Sequence, residues 1–225
     1  MADQTTDVAW KDSGVPVSTR FDDPYYSLDD GLAETRHVFL AGNGLPGRFQ
    51  GDLRIAELGF GTGLNCLTTL MAWRGAGVPG RLVYTSFEAF PLNRADMARA
   101  LAAFPELSAS APVLLEAWRP ATGRYELGDG MVLELLVGDA REILPTWEGQ
   151  ADAWYLDGFS PAKNPEMWSP DLMAEVARHT APGGTVATYT AAGFVRRGLE
   201  AAGFDITRAP GYGRKRHMTR GALTE

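Results

Sequence analysis

The sequence predicts an α/β fold: a mostly parallel sheet with helices on both faces and an antiparallel last strand. Three observations predict it. The apolar run Leu53–Leu58 passes through Gly59-Phe60-Gly61-Thr62-Gly63 into an apolar, helix-length segment over residues 64–73, which reads as strand, tight loop, helix. Later strand-length apolar runs alternate with helix-length segments, the order of a doubly wound sheet. The final two runs, residues 204–209 and 216–222, flank Pro210-Gly211-Tyr212-Gly213 and suit an antiparallel pair.

Composition bounds the rest. A chain of 225 residues with 45% hydrophobic content suits one domain over 1–225, with 1–50 as an N-terminal arm or lid and 51–225 as the core and a basic C-terminal segment. No apolar run reaches the roughly 18 residues of a membrane span, and residues 1–11 are polar and acidic, so a soluble, cytoplasmic protein is expected. A monomer is the default. The single cysteine, Cys66, excludes an internal disulfide and suits packing within its apolar helix. His37, His179 and His217 lack the spacing of a zinc site, and no metal is implied.

Along the chain, Phe21-Asp22-Asp23-Pro24-Tyr25-Tyr26 mixes aromatics and acids ahead of the first core strand, as a rim over a ligand site or an N-terminal helix at the domain edge would. The glycine loop then lets a ligand lie against bare peptide N–H groups at a helix start. Its third glycine falls too early for a dinucleotide fingerprint. Residues 81–88 read as a second strand ending in Glu88, a carboxylate 31 positions beyond Glu57 and suited to ribose hydroxyls. Residues 91–101 read as helix, followed by helix interrupted at Pro105 and Pro112. Gly128-Asp129-Gly130 marks a hairpin between residues 124–127 and 131–137, and the second arm runs into Gly138-Asp139-Ala140. The strand 151–156 enters Asp157-Gly158-Phe159-Ser160-Pro161-Ala162-Lys163-Asn164-Pro165-Glu166-Met167-Trp168, a stiff loop that presents side chains at a strand end. Ser169 or Asp171 caps a helix through His179; strand 185–189 and helix 192–202 follow.

Glu57-x-Gly59-x-Gly61-x-Gly63 resembles the first motif of class I S-adenosylmethionine-dependent methyltransferases, whose Rossmann-like sheet has seven strands. With the Asp157 loop, Phe21-Asp22-Asp23-Pro24-Tyr25, Ala192-Gly193-Phe194-Val195-Arg196-Arg197-Gly198-Leu199 and Gly211-Tyr212-Gly213-Arg214-Lys215-Arg216, the chain is similar to the methyltransferase half of the bifunctional tRNA 5-methylaminomethyl-2-thiouridine biosynthesis family. The similarity runs from about residue 15 onward, without the flavin-dependent half. It implies S-adenosylmethionine-dependent methylation of the 5-aminomethyl group of wobble uridine in tRNA. It also implies cofactor contacts at Glu57, Gly59, Phe60, Gly61, Thr62, Gly63, Asn65, Glu88, Asp139, Ala140 and Asp157, with Asp139 meeting the adenine amino group. A small-molecule amine methyltransferase, an aminopropyltransferase or a non-catalytic RNA-binding module are the competing readings.

Methyl transfer to an amine is an in-line displacement that needs nitrogen and methyl about 3–3.5 Å apart and a free lone pair. A carboxylate beside the amine can take its proton, and Asp157, at a strand end, is the candidate catalytic residue. Amine methyltransferases of this fold often carry an Asp/Asn-Pro-Pro-aromatic motif there, where this chain has Asp157-Gly158-Phe159-Ser160-Pro161. The net charge of −7 and pI of 5.0 argue against a nucleic-acid partner overall. Residues 206–224, however, hold Arg208, Arg214, Lys215, Arg216 and Arg220 and no acid. Phosphate contacts fit there, joined by Lys163, Arg196 and Arg197, while Tyr25, Phe159, Trp168, Phe194 and Tyr212 offer faces for a splayed anticodon base and Asn164 is a further substrate-binding candidate.

Overall fold

The computed structural model describes residues 8–27 and 30–224; the first seven residues of the expected arm lie outside them. Three short strands, β1 (Val8–Trp10), β2 (Pro16–Ser18) and β3 (Asp23–Pro24), form a small antiparallel sheet. Helix α1 (Gly31–Thr35) follows, capped by the Asp30 carboxylate, which accepts from the Ala33 N–H. It continues through a π-type turn, Arg36–Leu40.

The core is one eight-stranded sheet. Strands β4 (Leu53–Leu58), β5 (Leu82–Glu88), β7 (Met131–Val137), β8 (Ala151–Leu156) and β9 (Thr180–Thr188) run parallel. Strands β6 (Gly123–Gly128), β10 (Phe204–Pro210) and β11 (His217–Leu223) complete the order β10-β11-β9-β8-β4-β5-β7-β6. Only β11 and β6 oppose the rest, since β11 is antiparallel to both neighbours and β6 is antiparallel to β7. The expected seven strands become eight because the Gly128-Asp129-Gly130 hairpin places β6 beside β7 at the sheet margin.

Alternate residues of a strand face opposite sides. Ile55, Tyr84, Leu133 and Tyr155 pack on one face against α2 (Leu64–Ala76), α3 (Arg94–Leu101) and α4 (Ala111–Ala117), and Cys66 is buried there. Ala56, Leu58, Trp154 and Leu156 pack on the other against α5 (Ala140–Ile143), α6 (Pro170–Arg178) and α7 (Gly193–Ala201). Strands buried on both faces need no polar alternation, which is why their sequences read as near-continuous apolar runs. Ser169, not Asp171, caps α6, its hydroxyl accepting from the Leu172 N–H. Among the described residues no helix is long and apolar enough to cross a membrane, and no group of three or more His, Cys, Asp or Glu gathers as a metal site.

Candidate active site

The carboxyl ends of β4, β5, β7, β8 and β9 face a cavity of about 360 Å³, within the roughly 300–1,000 Å³ of small-molecule sites. Its floor is the glycine loop, one wall is the Asp157 loop, and the N-terminal segment covers it through Phe21, Asp23, Tyr25 and Tyr26. The covering segment is fastened to the Asp157 loop: the Ser160 N–H donates to Asp23 Oδ2 at 2.7 Å, and Lys163 Nζ donates to Asp22 Oδ2 at 2.6 Å.

Gly59 adopts φ +82°, and a Cβ there would stand 3.2 Å from the Gly158 Cα. The loop therefore lies directly against the peptide that follows Asp157. Glu88, at the end of β5, accepts from the Gly61 N–H at 2.9 Å and the Phe90 N–H at 2.7 Å. The Phe60 and Ala89 N–H groups also act on this carboxylate, so the backbone holds it in place at the strand end, where it lines the cavity. Burial raises the Glu88 carboxyl above its ordinary pKa, opposed by those backbone N–H groups.

Asp157 Oδ1 accepts from the Gly158 N–H at 2.8 Å, and its Oδ2 accepts from Asn65 Nδ2 at 2.7 Å. Desolvation pushes the Asp157 carboxyl up to about 6, against the Gly158 and Asn65 hydrogen bonds and the Lys215 charge. Asn65 also donates to Glu57 Oε1 at 2.9 Å, and its own oxygen accepts from the Thr35 hydroxyl at 2.7 Å. One amide thus ties α1, β4 and the end of β8 together.

Of the expected cofactor residues, Gly59, Phe60, Gly61, Thr62, Asn65, Glu88, Ala140 and Asp157 line the cavity. Three do not. Glu57 is fully buried under α2, where it accepts from Asn65 and from the Ser86 hydroxyl at 2.7 Å. It sits one residue before the strand end, so the pleat turns it into the helical layer, and it acts on the cavity through Asn65. Asp139 opens α5: its carboxylate accepts from the Arg141 N–H at 2.9 Å and pairs with the Arg141 guanidinium, which holds its carboxyl below the usual range. The adjacent Gly138 and Ala140 reach the cavity instead. Gly63 begins α2 at φ +77°.

Of the expected substrate residues, Tyr25, Phe159, Asn164, Tyr212, Arg214 and Lys215 line the cavity. Tyr25 meets Phe159 edge to face at 5.2 Å between ring centroids. Trp168 is core, not a stacking face: it is buried and donates its indole N–H to the Phe159 carbonyl at 3.0 Å. Lys163 is engaged with Asp22, Arg196 pairs with Glu200 at 3.7 Å on α7, and Phe194 and Arg216 are exposed away from the cavity. Sequence reasoning missed Glu34, Thr35 and Tyr189, which line the cavity. An acid set within the mostly apolar run 31–40, and an aromatic at the end of a core strand, were the available signals.

Glu57 carries a stability consequence. Burial pushes its carboxyl up to about 8, opposed by the Ser86 and Asn65 hydrogen bonds. The folded state holds this proton more tightly than the unfolded chain, so the group costs stability increasingly as pH rises from about 4.5 to about 8. Glu57→Gln is expected to be more stable than the parent at pH 9, on the order of a few kcal/mol at about 1.4 kcal/mol per unit, with the difference shrinking towards pH 5. Urea unfolding of both proteins at the two pH values measures it; an advantage that did not change with pH would refute the assignment.

The cavity offers a bare-backbone floor, apolar walls from Phe60, Phe87, Phe90 and Met167, an acid for a diol at Glu88 and an acid for a cation at Asp157. Those groups fit a nucleoside bearing a positively charged tail, as S-adenosylmethionine does. Comparison with known proteins agrees. The chain is 51% identical over 230 residues to the tRNA 5-methylaminomethyl-2-thiouridine biosynthesis bifunctional protein MnmC of Stutzerimonas stutzeri, which covers 98% of this chain and 35% of that protein. It is 52% identical over 216 residues to the Caulobacter vibrioides protein of the same name, covering 93% and 36%. The chain therefore spans about a third of the length of these curated relatives. The crystal structure of MNMC2 from Aquifex aeolicus superposes with a TM-score of 0.74 at 26% identity, covering 97% of this chain and 70% of that one. Residues 105–224, more than half of the chain, match the family model described as S-adenosyl-L-methionine-dependent methyltransferase. By that match, and by a cavity whose chemistry suits the cofactor, the chain belongs to the S-adenosyl-L-methionine-dependent methyltransferase family.

Proposed function

We propose that this chain methylates the 5-aminomethyl group of the wobble (2-thio)uridine in tRNA, giving 5-methylaminomethyl-2-thiouridine, and that it works in the cytoplasm on the anticodon region. The observation that carries this reading is Asp157, a carboxylate raised to about 6 in the same cavity as Glu88 and the basic residues Arg214 and Lys215. The names of the half-identical relatives support the substrate class.

Bound S-adenosylmethionine supplies the methyl group from its sulfonium centre. Glu88 and the glycine loop would hold the nucleoside end, as an acid at the strand end and a bare backbone allow. The substrate amine arrives mostly protonated at neutral pH, and its lone pair is released only when a proton leaves. Asp157 is the acceptor: ionised above about 6, fixed by Asn65 and the Gly158 N–H, it draws the proton away and aims the nitrogen. Tyr25 and Phe159 supply faces for an unpaired base, and the surface around Arg214 and Arg216 favours phosphate.

Incubation with methyl-labelled S-adenosylmethionine and tRNA carrying 5-aminomethyluridine is expected to place label in the 5-methylaminomethyl nucleoside, identified after digestion. Parallel reactions with the free modified nucleoside and with tRNA carrying plain uridine are expected to stay unlabelled. Efficient labelling of the free nucleoside would replace the tRNA reading with a small-molecule one.

A further inference from the structure

Lys215 belongs to the basic loop between β10 and β11, and although its side chain is 42% exposed, its ammonium reaches a mostly buried acid. Its Nζ lies 2.7 Å from Glu34 Oε1 and 4.1 Å from the centroid of the Tyr189 ring. Glu34 is 8% exposed in α1, and Tyr189 follows the end of β9. The Tyr189 hydroxyl donates to the Gly158 carbonyl at 2.9 Å, so this acid-and-ring seat adjoins the turn that carries Asp157. All four side chains line one cavity. A carboxylate under an aromatic face is a receptor for an alkylammonium, and a lysine head has the same charge and the same three N–H donors as an aminomethyl ammonium.

We propose that Glu34, with the Tyr189 ring, is the seat for the substrate's ammonium, and that Lys215 occupies it in the free protein and is displaced when the substrate enters. The proposal rests on the aminomethyl-tRNA reading and adds to it the residue that distinguishes an amine-bearing uridine from a plain one. Glu34 receives the cation; Asp157 takes the proton. Once displaced, the Lys215 ammonium regains three donors in a segment already rich in arginine and adds to the phosphate contacts. Exchanging one ammonium for another keeps the Glu34 charge paired throughout, which avoids leaving a buried carboxylate without a partner.

The test is equilibrium binding of the full chain, with S-adenosylhomocysteine present to prevent turnover, to two tRNAs that differ only in a 5-aminomethyl or an unsubstituted wobble uridine. The parent is expected to prefer the aminomethyl form about tenfold or more. Glu34→Gln is expected to bring that preference close to one; because it also frees Lys215, affinity for the unsubstituted tRNA is expected to be kept or modestly raised, and that retained binding reports intact folding. Lys215→Met is expected to keep or increase the preference and to lower the slope of log affinity against log salt by about one. A preference that survives in Glu34→Gln, or disappears in Lys215→Met, overturns the proposal. A parent that methylates neither tRNA overturns the reading beneath it; methylation of the aminomethyl tRNA with the preference intact in Glu34→Gln overturns the seat alone.

Discussion

Asp157→Asn is expected to retain S-adenosylmethionine binding by calorimetry while methyl transfer falls by about 10²- to 10⁴-fold, the range of general-base contributions. The carboxamide is nearly the same size and its oxygen still accepts from the Gly158 N–H. It has no ionised form to receive a proton. Its amide nitrogen also meets Asn65 Nδ2, donor against donor, which costs about 1–3 kcal/mol of stability for one unmade buried bond. The pH profile separates the two effects. In the parent, kcat/KM should rise with pH through about 6 as Asp157 ionises, and this limb should vanish in the variant. Near-normal turnover, or an unchanged limb, removes Asp157 from proton transfer.

Gly59→Ala is the second large effect. At φ +82° an L side chain is strained, and the new methyl would press on the Gly158 Cα at 3.2 Å and its N at 3.3 Å. Strain of this kind costs about 1–3 kcal/mol. The contact adds displacement of the peptide that orients Asp157 and of the floor beneath the cofactor. Gly14→Ala is the matched control: its φ is +80° and nothing lies within 4 Å of its Cβ position. Both variants should lower the unfolding midpoint in urea, and only Gly59→Ala should also lose cofactor affinity, by about tenfold or more for a shift of 1.4 kcal/mol. Equal cofactor affinity in the two variants would show that the close approach of the loops does not matter.

Local pattern was the legible part. The Leu53–Leu58 strand, the glycine turn and the 128–130 hairpin are each encoded within about a dozen residues, so apolar runs and turn residues sufficed to find them. Glu88 and Asp157 were legible as acids at strand ends, because in open α/β sheets those ends meet the ligand. Glu57 stands outside the cavity lining for a geometric reason: one position earlier in the pleat points the side chain into the helical layer. Asp139 stands outside the cavity lining because a residue after a glycine and before a helix caps that helix. Glu34, Lys215 and Tyr189 converge from segments up to 181 positions apart, a juxtaposition that only the folded chain creates. The local charge count found the basic segment, but not that the Lys215 ammonium reaches across to a mostly buried acid.

The order of the main sheet leaves β6 and β10 at its two margins. Unpaired margins invite hydrogen bonding by other chains and, in time, aggregates. Here β6 presents exposed Arg124 and Glu126, while β10 presents exposed Asp205 and Arg208 and closes on Pro210, which has no N–H to give. Charges of both signs beside each margin make a flat apolar approach costly from either side. The same strands that frame the catalytic sheet therefore discourage it from being extended by a neighbouring molecule, which favours survival of the protein at the high concentrations where edge-to-edge pairing begins.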